Sequence, residues 1–286
     1  MDAASLAAPG RRVCLKLETR LPTGSFKVRG ALFSLSERLR AGAVGEVVAA
    51  STGNHGAAVA FAGRELGVPA AIFLPTRPNP IKARRIRDLG ATLVEIGTDL
   101  AAAIDAAREY AADRGAFFLH DASDPDVPAG TSTIGHEILT ERPETDVIYV
   151  PVGDTALIRG VASSAKRLRP DVRVVGVVAE RAPAYYLSWR DRRVIETASA
   201  DTIADGLAVR RPLAPNVAAI AELVNDMRLV TEDDMRSATA FLERHEAVVA
   251  EPSGAAPLAA LMKERPHPTG TIALLITGSN IAPDFA

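Results

Sequence analysis

From Glu46 onward the chain alternates short β-branched runs with longer alanine-rich stretches, and that rhythm admits few architectures. "EVVAAS" (46–51) reads as a strand, "NHGAAVAFAGRELG" (54–67) as a helix ending at Gly67, and "AAIFLP" (70–75) as the next strand. Segments 80–90, 92–97, 99–115 and 116–120 continue the alternation. After the Asp- and Pro-rich "DASDPDVPAG" (121–130), read as a loop, the helical "TIGHEILTERP" opens a second series: strand 146–153, helix 156–170, strand 173–180. The pattern predicts an α/β fold of two three-layer, open twisted sheet domains built from βαβ units. The composition shift at 121–130 marks a boundary, and strand-like "VCLKLE" (13–18) groups with the later half. One domain, 37–125, is thus expected as a smaller insertion within a larger one formed by 1–36 and 126–286.

Composition narrows the function. With 286 residues, 48% apolar and 24% charged, the chain can bury one large core or two modest ones. A formal charge of −2 supplies no basic field to capture nucleic acid or an anionic membrane. No apolar run reaches the roughly 18 residues of a spanning helix, and no secretory leader opens the chain, so a cytoplasmic protein is expected. Cys14 reads as a buried strand thiol, and the five scattered histidines show no zinc spacing. No G-x-G-x-x-G or G-x-x-x-x-G-K-[ST] is present.

Function therefore has to come from loops at the carboxyl ends of strands, where helix N-termini present free N–H groups. "ASTGNHG" (50–56) places Ser51, Thr52, Gly53 and Asn54 there, suited to a small carboxylate or phosphate, or equally to helix capping by Ser51 or Thr52. "PVGDTALIRG" (151–160) can cradle a phosphate on its N–H groups or merely turn the chain. Lys27 in "TGSFKVRGA" (23–31) taken alone is a solvated charge. Together, a lysine, an oxyanion loop and a phosphate loop are what a pyridoxal phosphate enzyme requires.

At these residues the chain resembles the fold-type II pyridoxal phosphate enzymes (tryptophan synthase β-like), in the threonine/serine dehydratase and serine racemase branch. "LKLETRLPTGSFKVRGA" (15–31), "ASTGNHGAAVA" (50–60), "TIADGLAV" (202–209) and "VVAEPSGAAPLAAL" (248–261) carry the resemblance, in order, over nearly the whole chain. It implies that Lys27 is the Schiff-base lysine, that Phe26, Asn54, Gly153, Asp154, Thr155, Ala156 and Thr277 bind the cofactor, and that Ser51, Thr52, Gly53 and His55 bind the substrate carboxylate. It places Thr277 at the pyridine nitrogen, where a neutral hydroxyl keeps the ring a modest electron sink. The implied reaction is α-proton removal by Lys27, loss of a β-hydroxyl with proton help from the cofactor phosphate, and hydrolysis to a 2-oxo acid and ammonia. For this Lys27 must be partly neutral, its pKa drawn toward ~7–8. The resemblance also suggests a homodimer acting on a small amino acid, with no nucleic acid or membrane partner.

The chain departs from the branch in places. Its phosphate loop reads Gly153-Asp154-Thr155-Ala156 where a glycine run is usual, and Asp154 is expected to point away from the phosphate while Thr155 donates to it. Glu180 and Ala184 fit the branch's cation site, but Tyr186 stands at its third position, so no metal is expected. Thr52, with hydroxyl and β-branch, bears on racemase against dehydratase chemistry. The chain ends shortly after Thr277, so feedback control by a distal domain is not expected. Arg29 is either a charge that lowers the Lys27 pKa or a structural ion pair. His120, His136 and His245 read as structural or surface histidines, and "APAYYLSWRDRR" (182–193) as an irregular segment whose Tyr185 and Trp189 are candidates for a substrate mouth or an oligomer contact. An amino acid racemase, a β-replacement synthase and a non-catalytic binding protein with an impaired phosphate loop are the alternatives.

Overall fold

The structure, a computed structural model, describes residues 1–51, 53–78 and 80–281, with backbone alone for 80–82. In chain order the elements are β1 (Arg11–Leu17), α1 (Lys27–Ala41), β2 (Val47–Ala50), α2 (Asn54–Leu66), β3 (Ala70–Leu74), α3 (Pro80–Asp88), β4 (Thr92–Glu95), α4 (Leu100–Arg114), β5 (Phe117–Phe118) and α5 (Val127–Glu141). They continue with β6 (Thr145–Pro151), α6 (Ala156–Leu168), β7 (Arg173–Ala179), α7 (Ala184–Asp191), α8 (Ala214–Leu223), β8 (Asp226–Val230), α9 (Glu232–Glu246), α10 (Pro252–Lys263) and β9 (Gly270–Ile276).

Two compact units result: residues 1–20, 24–26 and 131–286 form one, and 21–23 with 27–130 the other. The seams fall at 26/27 and 130/131, so residues 27–36 and 126–130 group with the smaller unit.

The larger unit is built on a parallel five-stranded sheet, β1-β9-β6-β7-β8. Side chains alternate faces along a strand. Val13, Leu15, Tyr149, Ile272 and Leu274 enter one core with Met235 and Leu242 of α9 and Leu258 and Leu261 of α10. Their neighbours Cys14, Ile148, Ala273 and Leu275 enter a second core with Ile134 of α5, Leu157 and Val161 of α6, and Ile220 of α8. A sheet covered on both faces is the setting parallel strands require.

The smaller unit repeats the plan with the parallel order β4-β3-β2-β5. Ala103, Ala107 and Ala111, four apart on α4, pack on Val48, Ala71 and Phe73. Ile72, pointing the other way, meets α2 at Gly56, where an added Cβ would stand 3.1 Å from its methyl. Gly67 and Gly115 stop α2 and α4 in the left-handed conformation at φ 68° and 63°.

Two segments differ from the expectation. α5 starts inside the stretch read as a loop, because the Asp124 carboxylate accepts the N–H groups of Asp126 and Val127 at 2.9 and 3.1 Å and Pro128 falls in the first turn, where its missing N–H costs nothing. Residues 184–191 form α7 rather than an irregular stretch: Pro183 precedes the helix and the Ser188 hydroxyl donates to the Ala184 carbonyl at 2.7 Å. Among the described residues no helix is long and apolar enough to cross a membrane.

Candidate active site

In the smaller unit, Lys27 is the first residue of α1. Its Nζ donates to Asp121 Oδ2 at 2.7 Å. Ser51 lies just past β2, and its hydroxyl accepts the Gly53 N–H at 3.2 Å, a local turn that leads into α2. Asn54 and His55 open that helix, with Gly53 as its N-cap. Gly56 allows the tight passage, since a Cβ there would lie 2.7 Å from the Ser51 carbonyl oxygen. The buried His55 ring places Nε2 3.0 Å from the Leu119 carbonyl and Nδ1 3.8 Å from Asp121 Oδ2. Thr52 lies outside the described residues.

In the larger unit, the loop after β6 runs Gly153-Asp154-Thr155 into α6. Gly153 passes directly over Gly206, where an added Cβ would sit 2.0 Å from the carbonyl oxygen. This joins the 151–160 and 202–209 motifs. Asp154 Oδ1 accepts the Ala156 N–H at 2.8 Å, so one of the N–H groups expected to face a phosphate is held within the loop. The Asp154 carbonyl accepts from Asn216 Nδ2 at 3.2 Å, and the same amide reaches the Tyr185 hydroxyl at 3.3 Å. Burial works against the charge of Arg159, while Asp154 and Tyr185 favour it; its pKa is lowered.

Thr155 is the N-cap of α6 at φ 76°, a left-handed position that a β-branched residue rarely adopts. Its hydroxyl is buried with no partner. A buried unpaired hydroxyl beside first-turn N–H groups is the donor set an oxyanion would satisfy, so these residues fit a phosphorylated cofactor.

Thr277 is buried at the carboxyl end of β9, and its carbonyl accepts the Phe26 N–H at 3.0 Å. Behind it the buried Glu251 accepts the Ser253 hydroxyl at 2.8 Å, and its N–H donates to the Gly278 carbonyl at 2.9 Å. Gly278 and Gly254 let these segments touch: a Cβ on Gly278 would lie 2.5 Å from Glu251 Oε1, and one on Gly254 2.8 Å from the Gly278 carbonyl.

Glu180 is exposed and the Ala184 carbonyl is taken by Ser188. Among the described residues no three His, Cys, Asp or Glu side chains gather as a metal site. The sequence reading missed Asp121, Asn216, Tyr185 as a loop support, and the Glu251–Ser253 pair. Asp121 could have been found by the rule that located Ser51, because it too follows a strand at its carboxyl end.

Parallel sheets covered on both faces, a lysine at one helix start and an anion-ready loop at another define the open-sheet α/β enzymes that carry a phosphorylated carbonyl cofactor. The chain belongs to the pyridoxal-phosphate dependent enzyme family, whose sequence profile matches residues 2–278. It depends on pyridoxal phosphate and has the family's type II fold. It is 38% identical to an L-threonine ammonia-lyase of Geobacter sulfurreducens, over 95% of this chain and 68% of that one. Among solved structures, threonine deaminase isoform 2 of Solanum lycopersicum superposes with a TM-score of 0.93 at 30% identity, covering 99% of this chain and 79% of that one. Maize serine racemase superposes with a TM-score of 0.91 at 28% identity, covering 99% of this chain and 88% of that one.

Proposed function

We propose that the chain is a pyridoxal phosphate-dependent ammonia-lyase that converts a β-hydroxy amino acid, threonine or serine, to a 2-oxo acid and ammonia, acting in the cytoplasm as a homodimer. The observation that carries the reading is Lys27 at the head of α1, in a chain whose residues 2–278 match the pyridoxal-phosphate dependent enzyme family. Identity of 38% to a protein named L-threonine ammonia-lyase supports the substrate class.

Pyridoxal phosphate, when bound, supplies an aldehyde that takes up an amine and a ring that draws electrons from the amino acid's α-carbon. Lys27 Nζ removes the α-proton and must be neutral to do so. The start of α2 holds the substrate carboxylate: the Ser51 hydroxyl, which already accepts from Gly53, keeps its own proton to donate, and His55 contributes its backbone N–H because its ring is committed to Leu119. Gly53 shapes the turn. Asn54 binds the cofactor's 3′-oxygen.

Thr155 donates its hydroxyl to the phosphate along with α6 N–H groups, while Gly153 and Asp154 shape the loop and the Ala156 N–H ties it together. Thr277 would offer the cofactor ring a neutral hydroxyl, and Phe26 would be among the residues that hold the cofactor. No metal is assigned a role.

Purified protein supplied with pyridoxal phosphate should show a visible absorption band that changes on adding L-threonine or L-serine, with 2-oxo acid released. Lys27→Ala should abolish both. Chiral chromatography of the serine reaction covers the second reading, which the likeness to serine racemase favours: D-serine without 2-oxo acid would replace the lyase by a racemase.

A further inference from the structure

The lysine stretch contains no acid that could reach its own amine, yet Lys27 Nζ lies 2.7 Å from Asp121 Oδ2, with side chains 15% and 21% exposed. Asp121 arrives from a separate part of the smaller unit, three residues beyond β5. His55 Nδ1 approaches the same oxygen at 3.8 Å from α2. The Leu119 carbonyl can only accept, so His55 Nε2 carries the hydrogen and, in the neutral ring, Nδ1 carries a lone pair. One carboxylate oxygen thus takes the ammonium directly, while the His55 ring, at 3.8 Å, stands beyond hydrogen-bond reach.

Asp124, Arg85, His120 and Arg29 are further charged or titratable groups of these segments. The Asp124 carboxylate is turned to the N–H groups of Asp126 and Val127, the Arg85 guanidinium donates to the Thr23 carbonyl, and the His120 ring packs on Phe118. Arg29 is the remaining charge of the lysine stretch, two residues along α1.

We propose that Asp121 is the proton partner of Lys27, an inference that rests on Lys27 being the lysine that carries the cofactor. A carboxylate in contact with an ammonium favours the charged amine. Lys27 must nonetheless shed a proton before its nitrogen can attack a carbonyl or take a hydrogen from the substrate. In the transfer an Nζ–H bond breaks and an Oδ2–H bond forms, so ammonium and carboxylate become amine and carboxylic acid. The reverse step restores the ammonium, and no proton or charge is gained or lost overall. Asp121 therefore both holds the resting charge of Lys27 and receives the proton that activates it.

The test uses the full chain stripped of cofactor. Pyridoxal phosphate is added from about pH 6 to about pH 10, covalent capture is followed by absorbance, and the adduct is reduced with borohydride and located by peptide mass. Asp121→Asn removes the negative charge and should lower the capture midpoint by about one pH unit, since an opposite charge at this distance is worth ~1–3 units. Asp121→Ser, neutral and smaller, should do the same and stands in if the Asn variant does not fold. Asp121→Glu keeps the charge and should bring the midpoint back toward that of the unaltered chain. An unchanged midpoint in both neutral variants overturns the proposal and leaves Lys27 as the cofactor lysine. A label on a peptide without Lys27 overturns the proposal and the reading of Lys27 together.

Discussion

Thr155 holds two features that a folded chain normally avoids: a β-branched residue at φ 76° and a buried hydroxyl with nothing to bond. Both become intelligible if the hydroxyl serves a phosphate. Thr155→Ala should therefore act with opposite signs on the two forms of the protein. Calorimetry of the cofactor-stripped chain should show unchanged or slightly raised stability, by up to about 1 kcal/mol, because an unpaired polar group is removed. Titration should show pyridoxal phosphate binding about tenfold weaker or worse, a hydrogen bond to a charged group being worth ~1.5–3 kcal/mol. Gly153→Ala is a harsher case, as its Cβ would fall 2.0 Å from the Gly206 carbonyl oxygen and backbone must move on one side. It should cost about 3 kcal/mol or more in denaturant unfolding and release the phosphate loop.

At the scale of elements, helix starts hold candidate site residues and helix caps add to the stability. α9 opens with a reciprocal capping box, Thr231 N–H to Asp234 Oδ2 at 2.8 Å and Asp234 N–H to the Thr231 hydroxyl at 3.2 Å. Partial burial works to raise the Asp234 pKa, but the Lys263 ammonium at 2.7 Å and the two Thr231 bonds outweigh it, and the carboxyl is held below its ordinary value. A carboxyl with a depressed folded pKa stabilises above its unfolded value, and that contribution fades as pH falls through the folded one. Asp234→Asn should accordingly lower stability by about 1 kcal/mol at neutral pH, and the gap should close as pH drops below roughly 4. Melting curves at a series of pH values measure it; a gap that persists in acid would show that the charge is not the cause.

For whole units, burial sets reactivity. Cys14, the only cysteine, points from β1 into the core formed with α5, α6 and α8. Burial pushes its thiol pKa up, outweighing the pull of the N-terminal charge and Arg142, and the thiolate is the reactive form. Ellman's reagent should label the native chain at least about a hundredfold more slowly than the urea-unfolded chain, because labelling waits on opening of the larger unit. Fast labelling in native buffer would mean that β1 frays from β9.

Much of this architecture was legible beforehand, and unevenly so. Strand runs such as 46–51 and 70–75, the Gly67 stop, and the buried thiol follow from local rules of periodicity, left-handed glycine and hydrophobicity, which act within a few residues. The start of α5 and the helix at 184–191 were not, since they depend on a carboxylate cap and a serine back-bond that compete on nearly equal terms with turns. Lys27, Asn54 and Thr155 became candidates from their order in the chain because each sits in a motif. Asp121 could not be assigned to Lys27 on those grounds: 94 residues separate them, and only the return of the chain through β5 sets their charges side by side. By itself the sequence determined the α/β class and the family, and offered the lysine, since these are written in local pattern. The tertiary structure alone decided that Asp121 meets that lysine, because hydrogen bonds between distant residues form only where packing, not sequence spacing, brings the groups within 3 Å.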